Sequence, residues 1–199
     1  MTPDQLRFRL ARAADARSLG IDGDEGHALR HQAGGKVPAA VLLGLVARGE
    51  GGPHLLLTQR TAHLKDHAGQ ISLPGGRIET SDADAVAAAL REAQEEIGLD
   101  PGGVEVLGEL PIYDTVTGFR IHPVVGWIER PSQLVPDPFE VAEVFEVPLA
   151  FALDPRNHER DSYERDGRRR EFFVLRWQSR YIWGATAGIL VNFARMMAD

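Results

Sequence analysis

The clearest hydrophobic period lies between Asp84 and Ile97, where Val86, Ala89, Leu90, Ala93 and Ile97 recur every three or four residues and predict an amphipathic helix. Ser81 or Asp82 can cap its start; Gly98, followed by Leu99 and Pro101, ends it. Upstream, the apolar runs Ala39–Ala47 and Leu55–Thr58 flank "RGEGGPH" and read as strand, turn and strand. Downstream, "VEVLGEL" (104–110) and "IHPVVGWI" (121–128) supply further strands, and Pro123 places the second at an edge or a bulge. "ERPSQLVPDP" is a loop by composition, a short helix is expected at Leu149–Leu153, and "DSYERDGRRREFFVLRW" reads as a hairpin turning at Asp166-Gly167.

The last period runs from Gly184 to Met197, with Ile189, Leu190, Phe193 and Met197 on one helical stripe; Trp183 and Phe193 are assigned to the core. At the other end, an N-terminal surface helix with Leu6 and Leu10 inward precedes a polar, glycine-bearing linker at 22–35. Strands and helices without regular βα alternation imply an α/β (α+β) chain in which helices cover a mixed sheet. The division expected is an N-terminal helix and linker at 1–36 and one domain at 37–199, since 199 residues support one good core.

Lys plus Arg (22) fall short of Asp plus Glu (29), and the net charge of −7 argues against nucleic acid as a partner. An anionic ligand would need local cations or a metal. The absence of cysteine removes disulfides, thiolate metal sites and cysteine nucleophiles, and fits a cytoplasmic protein. No apolar run approaches the roughly 18 residues of a membrane span, and the acidic residues near the N-terminus do not suit a targeting peptide.

The candidate chemistry sits in "LPGGRIETSDADAVAAALREAQEEIGL", 73–99. Glu92, Glu95 and Glu96 fall at i, i+3 and i+4, which gathers their carboxylates on the helix face opposite the core. Like charges so placed repel by a few tenths of a kcal/mol per pair, and a hard divalent cation, Mg²⁺ or Mn²⁺, would neutralise them. Gly75 and Gly76, just ahead, let another group approach the main chain. A solvated acidic face is the plain alternative for the glutamates, and a simple turn is the alternative for Gly76.

The stretch Gly76–Leu99 resembles the Nudix box of pyrophosphohydrolases, with Arg91-Glu92, Glu95-Glu96 and Gly98-Leu99 in register. Asp82 stands where the box's first Glu is expected, one residue farther from Arg91 than in the general pattern. "LLTQRTAHLKDHAGQISLPGG" (56–76) is similar to the signature of the coenzyme A diphosphatase branch, which shares that longer box; Thr61, Lys65 and Leu73 replace its Ser, Arg and Phe. Weaker similarity runs through "DPFEVAEVFEVPL" and "IWGATAGILVNFA".

The resemblance implies a Nudix-type α/β/α sandwich, monomeric or homodimeric. Its expected reaction is metal-dependent hydrolysis of coenzyme A to 3′,5′-ADP and 4′-phosphopantetheine. It implies Glu92, Glu95 and Glu96 as metal-binding and catalytic residues, with the Gly76 carbonyl as a further ligand. Glu140 is the candidate for an extra acid from outside the box, with Glu143 second. Arg60, Lys65 and His67 are candidates for binding the substrate's phosphates, His67 alternatively supporting its loop. Arg91 is expected to point away from Glu95 and to tie Asp82 or Glu79 to the helix, while Asp82 caps it. Arg168, Arg169 and Arg170 suit a solvated hairpin tip better than a phosphate site. The competing functions are hydrolysis of ADP-ribose, a dinucleotide or a related compound, and nucleotide sensing without turnover, which the retained glutamates disfavour.

Overall fold

The computed structural model describes residues 1–15, 35–64, 67–130, 133–165 and 168–198. In chain order the elements are α1 (Pro3–Asp15), β1 (Val37–Val46), β2 (His54–Arg60), β3 (Ile71–Ser72), β4 (Gly75–Arg77), α2 (Ala85–Ile97), β5 (Glu105–Glu109), β6 (Tyr113–Asp114), β7 (Phe119–Ile128), β8 (Val141–Pro148), α3 (Leu149–Leu153), β9 (Glu159–Arg165), β10 (Arg168–Trp177), β11 (Arg180–Trp183) and α4 (Gly184–Met197). The linker residues 22–34, Lys65 and the Asp166-Gly167 turn lie outside the described residues.

β1 is apolar along its length because it is covered on both faces. Its Ala40, Leu42 and Val46 join Leu56, Ala88, Ala89, Ala93 and Ile97 beneath α2. On the opposite face, Leu43 and Leu45 join Leu55, Leu57, Ile189, Leu190 and Phe193 beneath α4. The result is an α/β/α sandwich around a mixed sheet, with β1 parallel to β7 and antiparallel to β2 and β4. Leu6 and Leu10 of α1 are buried in the α4-side cluster, so this helix shares the domain's core.

Pro123 is not at an edge. β7 lies between β1 and the pair β5 and β6, and Pro123 falls where β5 hands over to β6. The Pro123 carbonyl accepts from Leu110 N on that side. A strand residue's N–H and C=O point the same way, so the missing donor falls in the break and disturbs no ladder bond. Three strands that sequence patterning did not assign, β3, β4 and β8, flank the site. β8 lies along β2, with a bulge between Gln59 and Arg60.

β9, β10 and β11 make a separate antiparallel sheet that contains the expected hairpin. Phe193 is buried as expected, whereas Trp183 is not: it ends β11 with 37% of its surface exposed. Among the described residues no helix is long and apolar enough to cross a membrane.

Candidate active site

β1 and β2 pair only at Leu45 with Leu55 and Val46 with His54, then splay apart. Residues 71–77 fill the gap, β3 pairing with Thr58 and Gln59 of β2 and β4 with Ala39, Ala40 and Val41 of β1. The Pro74 carbonyl joins them by accepting from Leu42 N. The glycine-rich segment is thus a strand inside the sheet rather than the simple turn given as the alternative for Gly76. Gly75 has φ +152°, and a Cβ there would overlap the Ala40 carbonyl oxygen and stand 2.6 Å from Val41 Cα. A Cβ on Gly76 would lie 2.5 Å from the Glu92 carboxyl carbon, so that carboxylate rests directly on the main chain.

Asp84, not Ser81 or Asp82, caps α2 by accepting from Ala87 N at 2.8 Å, and Gly98 ends the helix in the left-handed region at φ 67°. Asp82 instead receives the Arg91 fork, Nε to Oδ1 at 2.9 Å and Nη2 to Oδ2 at 3.0 Å. That contact holds the Asp82 carboxyl below its ordinary range. Arg91 also donates to the Arg77 carbonyl and to Glu95 Oε2, and stands 3.1 Å from Glu92 Oε1. The expectation that Arg91 and Glu95 occupy different faces is therefore corrected. At i and i+4 they are neighbours on the helix surface.

The glutamates also part company. Glu95 is largely exposed and faces Arg91. Glu96, expected on the face opposite the core, is instead only 5% exposed: it shares the buried side of α2 with Ala89 and Ala93, where the β3–β4 segment and the chain at 133–140 cover it. Burial pushes its carboxyl up to about 7, against the pull of Gly75 N–H, which donates to Oε2 at 3.2 Å. Glu92 is raised as well, by burial, with Arg91 opposing.

The third acid comes from the proline-rich loop. Val135 N donates to the Ile97 carbonyl and Asp137 N to that of Glu96, pinning the loop across the end of α2. Thr61 fastens its other end, donating from N to the Glu140 carbonyl at 2.9 Å and from Oγ1 to the Phe139 carbonyl at 2.8 Å. Glu140 is so placed that its charge adds to the repulsion on both Glu92 and Glu96. Glu143 is engaged elsewhere, in a two-pronged contact with Arg180 at 2.7 and 2.8 Å. Thr61 and the Gly75 amide, noted in the sequence only as a signature position and a point of close approach, bind the loop and Glu96 at the candidate site. Neither type is diagnostic by itself.

Arg60 Nη1 stands 3.7 Å from Glu96 Oε1, and its Nε is buried without a hydrogen-bond partner among the described residues. His67, at φ 58°, meets Gln70 through Nδ1 and Oε1 at 2.6 Å, supporting the turn that leads into β3. Lys65 lies outside the described residues. A cavity of about 320 Å³ borders the site, lined by Arg60, His67, Ser72, Gly75 and Gly76 among others.

Two desolvated carboxylates with a third acid facing them form a hard-oxygen donor set that a divalent cation would relieve of its repulsion. Among the described residues no three acidic or histidine side chains close in tightly enough to hold a metal by themselves. Mg²⁺ is typically held by one or two carboxylates with water and substrate phosphate completing the shell, so the donors fit. Arg91→Ala should lower kcat/KM by about 10- to 100-fold through loss of the Asp82 and Glu92 contacts, as for other residues that orient metal ligands. Arg91→Lys should recover little, lacking the fork; recovery to wild-type kinetics would show that charge alone suffices.

An α/β/α sandwich that brings buried acids and a guanidinium to one glycine-built strand has the build of a hydrolase of phosphorus anhydrides. The family model described as NUDIX domain matches residues 36–166, and the chain belongs to the Nudix family of hydrolases, which generally use divalent metals. The chain is 48% identical over 158 residues to the uncharacterized Nudix hydrolase NudL of Escherichia coli (strain K12), covering 78% of this chain and 80% of that protein. Against the Citrobacter koseri protein of the same name the identity is 49% over the same shares. A crystal structure of the Nudix hydrolase RenU from M. smegmatis superposes with a TM-score of 0.49 at 26% identity, covering 59% of this chain and 73% of that one.

Proposed function

We propose that this Nudix hydrolase cleaves the pyrophosphate bond of coenzyme A, releasing 3′,5′-ADP and 4′-phosphopantetheine, with Mg²⁺ or Mn²⁺ as its cation. The observation that carries the proposal is Arg60. It belongs to the stretch 56–76 that resembles the coenzyme A diphosphatase signature, and it presents a buried Nε with no hydrogen-bond partner among the described residues and a guanidinium nitrogen 3.7 Å from Glu96 at the cavity wall. A guanidinium held that way favours a phosphate oxygen as its acceptor.

In this reading Glu92 and Glu96 hold the cation, the Gly76 carbonyl adds a ligand, and Glu140 takes the proton from the attacking water. When bound, the cation lowers the pKa of that water and offsets charge developing on the pyrophosphate oxygens. Glu95 acts through Arg91, keeping Glu92 and Asp82 aligned. Arg60, Lys65 and His67 receive the phosphates, with the His67 turn fixed by Gln70.

The test is a product assay. Purified protein with Mg²⁺ or Mn²⁺ is offered coenzyme A, ADP-ribose and a reduced dinucleotide in parallel, and products are separated by chromatography. Preferred release of 3′,5′-ADP from coenzyme A is the expected result. Faster cleavage of ADP-ribose would overturn the coenzyme A assignment and leave the Nudix chemistry standing.

A further inference from the structure

The larger of the two neighbouring cavities, about 530 Å³, is lined by none of the acids assigned to the chemistry above. One wall is the small sheet β9–β11, and the two cavities meet at His67, Gln70, Thr115, Thr117 and Ala185, which line both. The volume falls within the range of small-ligand sites.

Its wall is unusually aromatic for a protein with 7% aromatic residues. Phe172 of β10 sits between Tyr163 of β9, at 5.9 Å between ring centroids, and Trp183 of β11, at 5.6 Å; Tyr181 stands 6.5 Å from Trp183. Trp183 and Tyr163 keep 37% and 38% of their surface exposed. Tyr181 is fixed by a 2.8 Å hydrogen bond from its hydroxyl to Asp161 Oδ2 and by the Arg176 guanidinium over its ring. The rings are thus held by a sheet and one another, so they present a surface whose ordering has already been met in folding. Gln70, Glu171 and Arg170 supply polar atoms around it.

We infer that this aromatic wall is the binding subsite for the purine base of a nucleoside diphosphate substrate, the rings of Trp183 and its neighbours stacking on the base while the pyrophosphate reaches the acids through the shared gap. The inference rests on the nucleotide reading of the active site, not on coenzyme A in particular. Every base offers a π face, and preformed aromatic side chains are the recurrent means of holding one. A pantetheine arm, being flexible and aliphatic, has no face to offer them.

The test compares ADP with inorganic pyrophosphate, each titrated with Mg²⁺ into the wild-type protein, Trp183→Ala, Trp183→Phe and Tyr163→Ala, with melting temperatures as a check on folding. Trp183→Ala should weaken ADP roughly tenfold to a hundredfold, the range for losing one stacking partner, and leave pyrophosphate unchanged. Trp183→Phe should retain most of the affinity, and Tyr163→Ala, at a half-exposed position on another strand, should repeat the selective loss. Equal weakening of ADP and pyrophosphate, or of neither, overturns the subsite. Selective loss of ADP in a protein that does not cleave coenzyme A keeps the subsite and discards only the coenzyme A assignment.

Discussion

Glu96→Gln should lower kcat/KM for pyrophosphate hydrolysis by about a thousandfold or more and, in the metal-free protein at pH 8, raise the melting temperature. The loss follows from the several kcal/mol of charge stabilisation that a bound cation supplies, at about 1.4 kcal/mol per factor of ten. The gain follows from burial. A carboxyl that titrates at about 7 in the folded protein and at its ordinary 4.5 in the unfolded chain weakens folding by about 3 kcal/mol above pH 7.

The sign is set by the raised value. Below pH 4.5 the group is protonated in both states and costs nothing. Between 4.5 and about 7 the unfolded chain gives up its proton and the folded protein keeps it, so stability falls as pH rises. Gln retains an oxygen for the Gly75 amide and carries no charge, so at pH 8 the variant should melt roughly 5–10 °C higher without metal, and at pH 4.5 the two should coincide. Calorimetry across that range, with and without Mg²⁺, checks it. A variant that melts lower than wild type at pH 8 would show that the Arg60 contact outweighs desolvation, and activity above a few per cent would remove Glu96 from the metal set.

The second large effect separates two adjacent glycines. Gly75→Ala should cost roughly 3–5 kcal/mol, because its Cβ overlaps the backbone of Ala40 and Val41 in mid-sheet and its φ of +152° disfavours any side chain. The nearest atoms to a Cβ in Gly76→Ala are those of the Glu92 carboxylate, the end of a flexible side chain. This variant should keep stability within about 1 kcal/mol and lose activity about 100-fold, the effect of misplacing a reacting group by about 1 Å. Chemical denaturation and steady-state kinetics on both variants decide the matter. Similar loss of stability in both would mean that Gly76 is also held by the sheet rather than by the acid.

Much of this was legible because local signals and tertiary structure agree. The α2 period, its Gly98 stop and the α4 stripe depend on residues within a few turns of each other. What escaped was set by distant segments. Helical spacing put Glu96 opposite the core, whereas it shares the buried, sheet-facing side of α2 with Ala89 and Ala93, where residues 71–77 and 133–140 take its carboxylate out of water. β8 was missed because "VAEVFEVP" breaks strict alternation, its burial varying along the strand. Trp183 looked like core by residue type, and only the arrangement of β9, β10 and β11 shows that its ring borders a cavity.

The splaying of β1 and β2 has a consequence for how such a chain can change over generations. Because the glycine strand completes the central sheet, a change that unseats it is felt in abundance and, on the proposed reading of the site, in turnover as well. The small sheet stands apart, joined to the rest chiefly through α4 and β3. New leaving groups can therefore be tried out on β9–β11 while the inherited engine stays untouched.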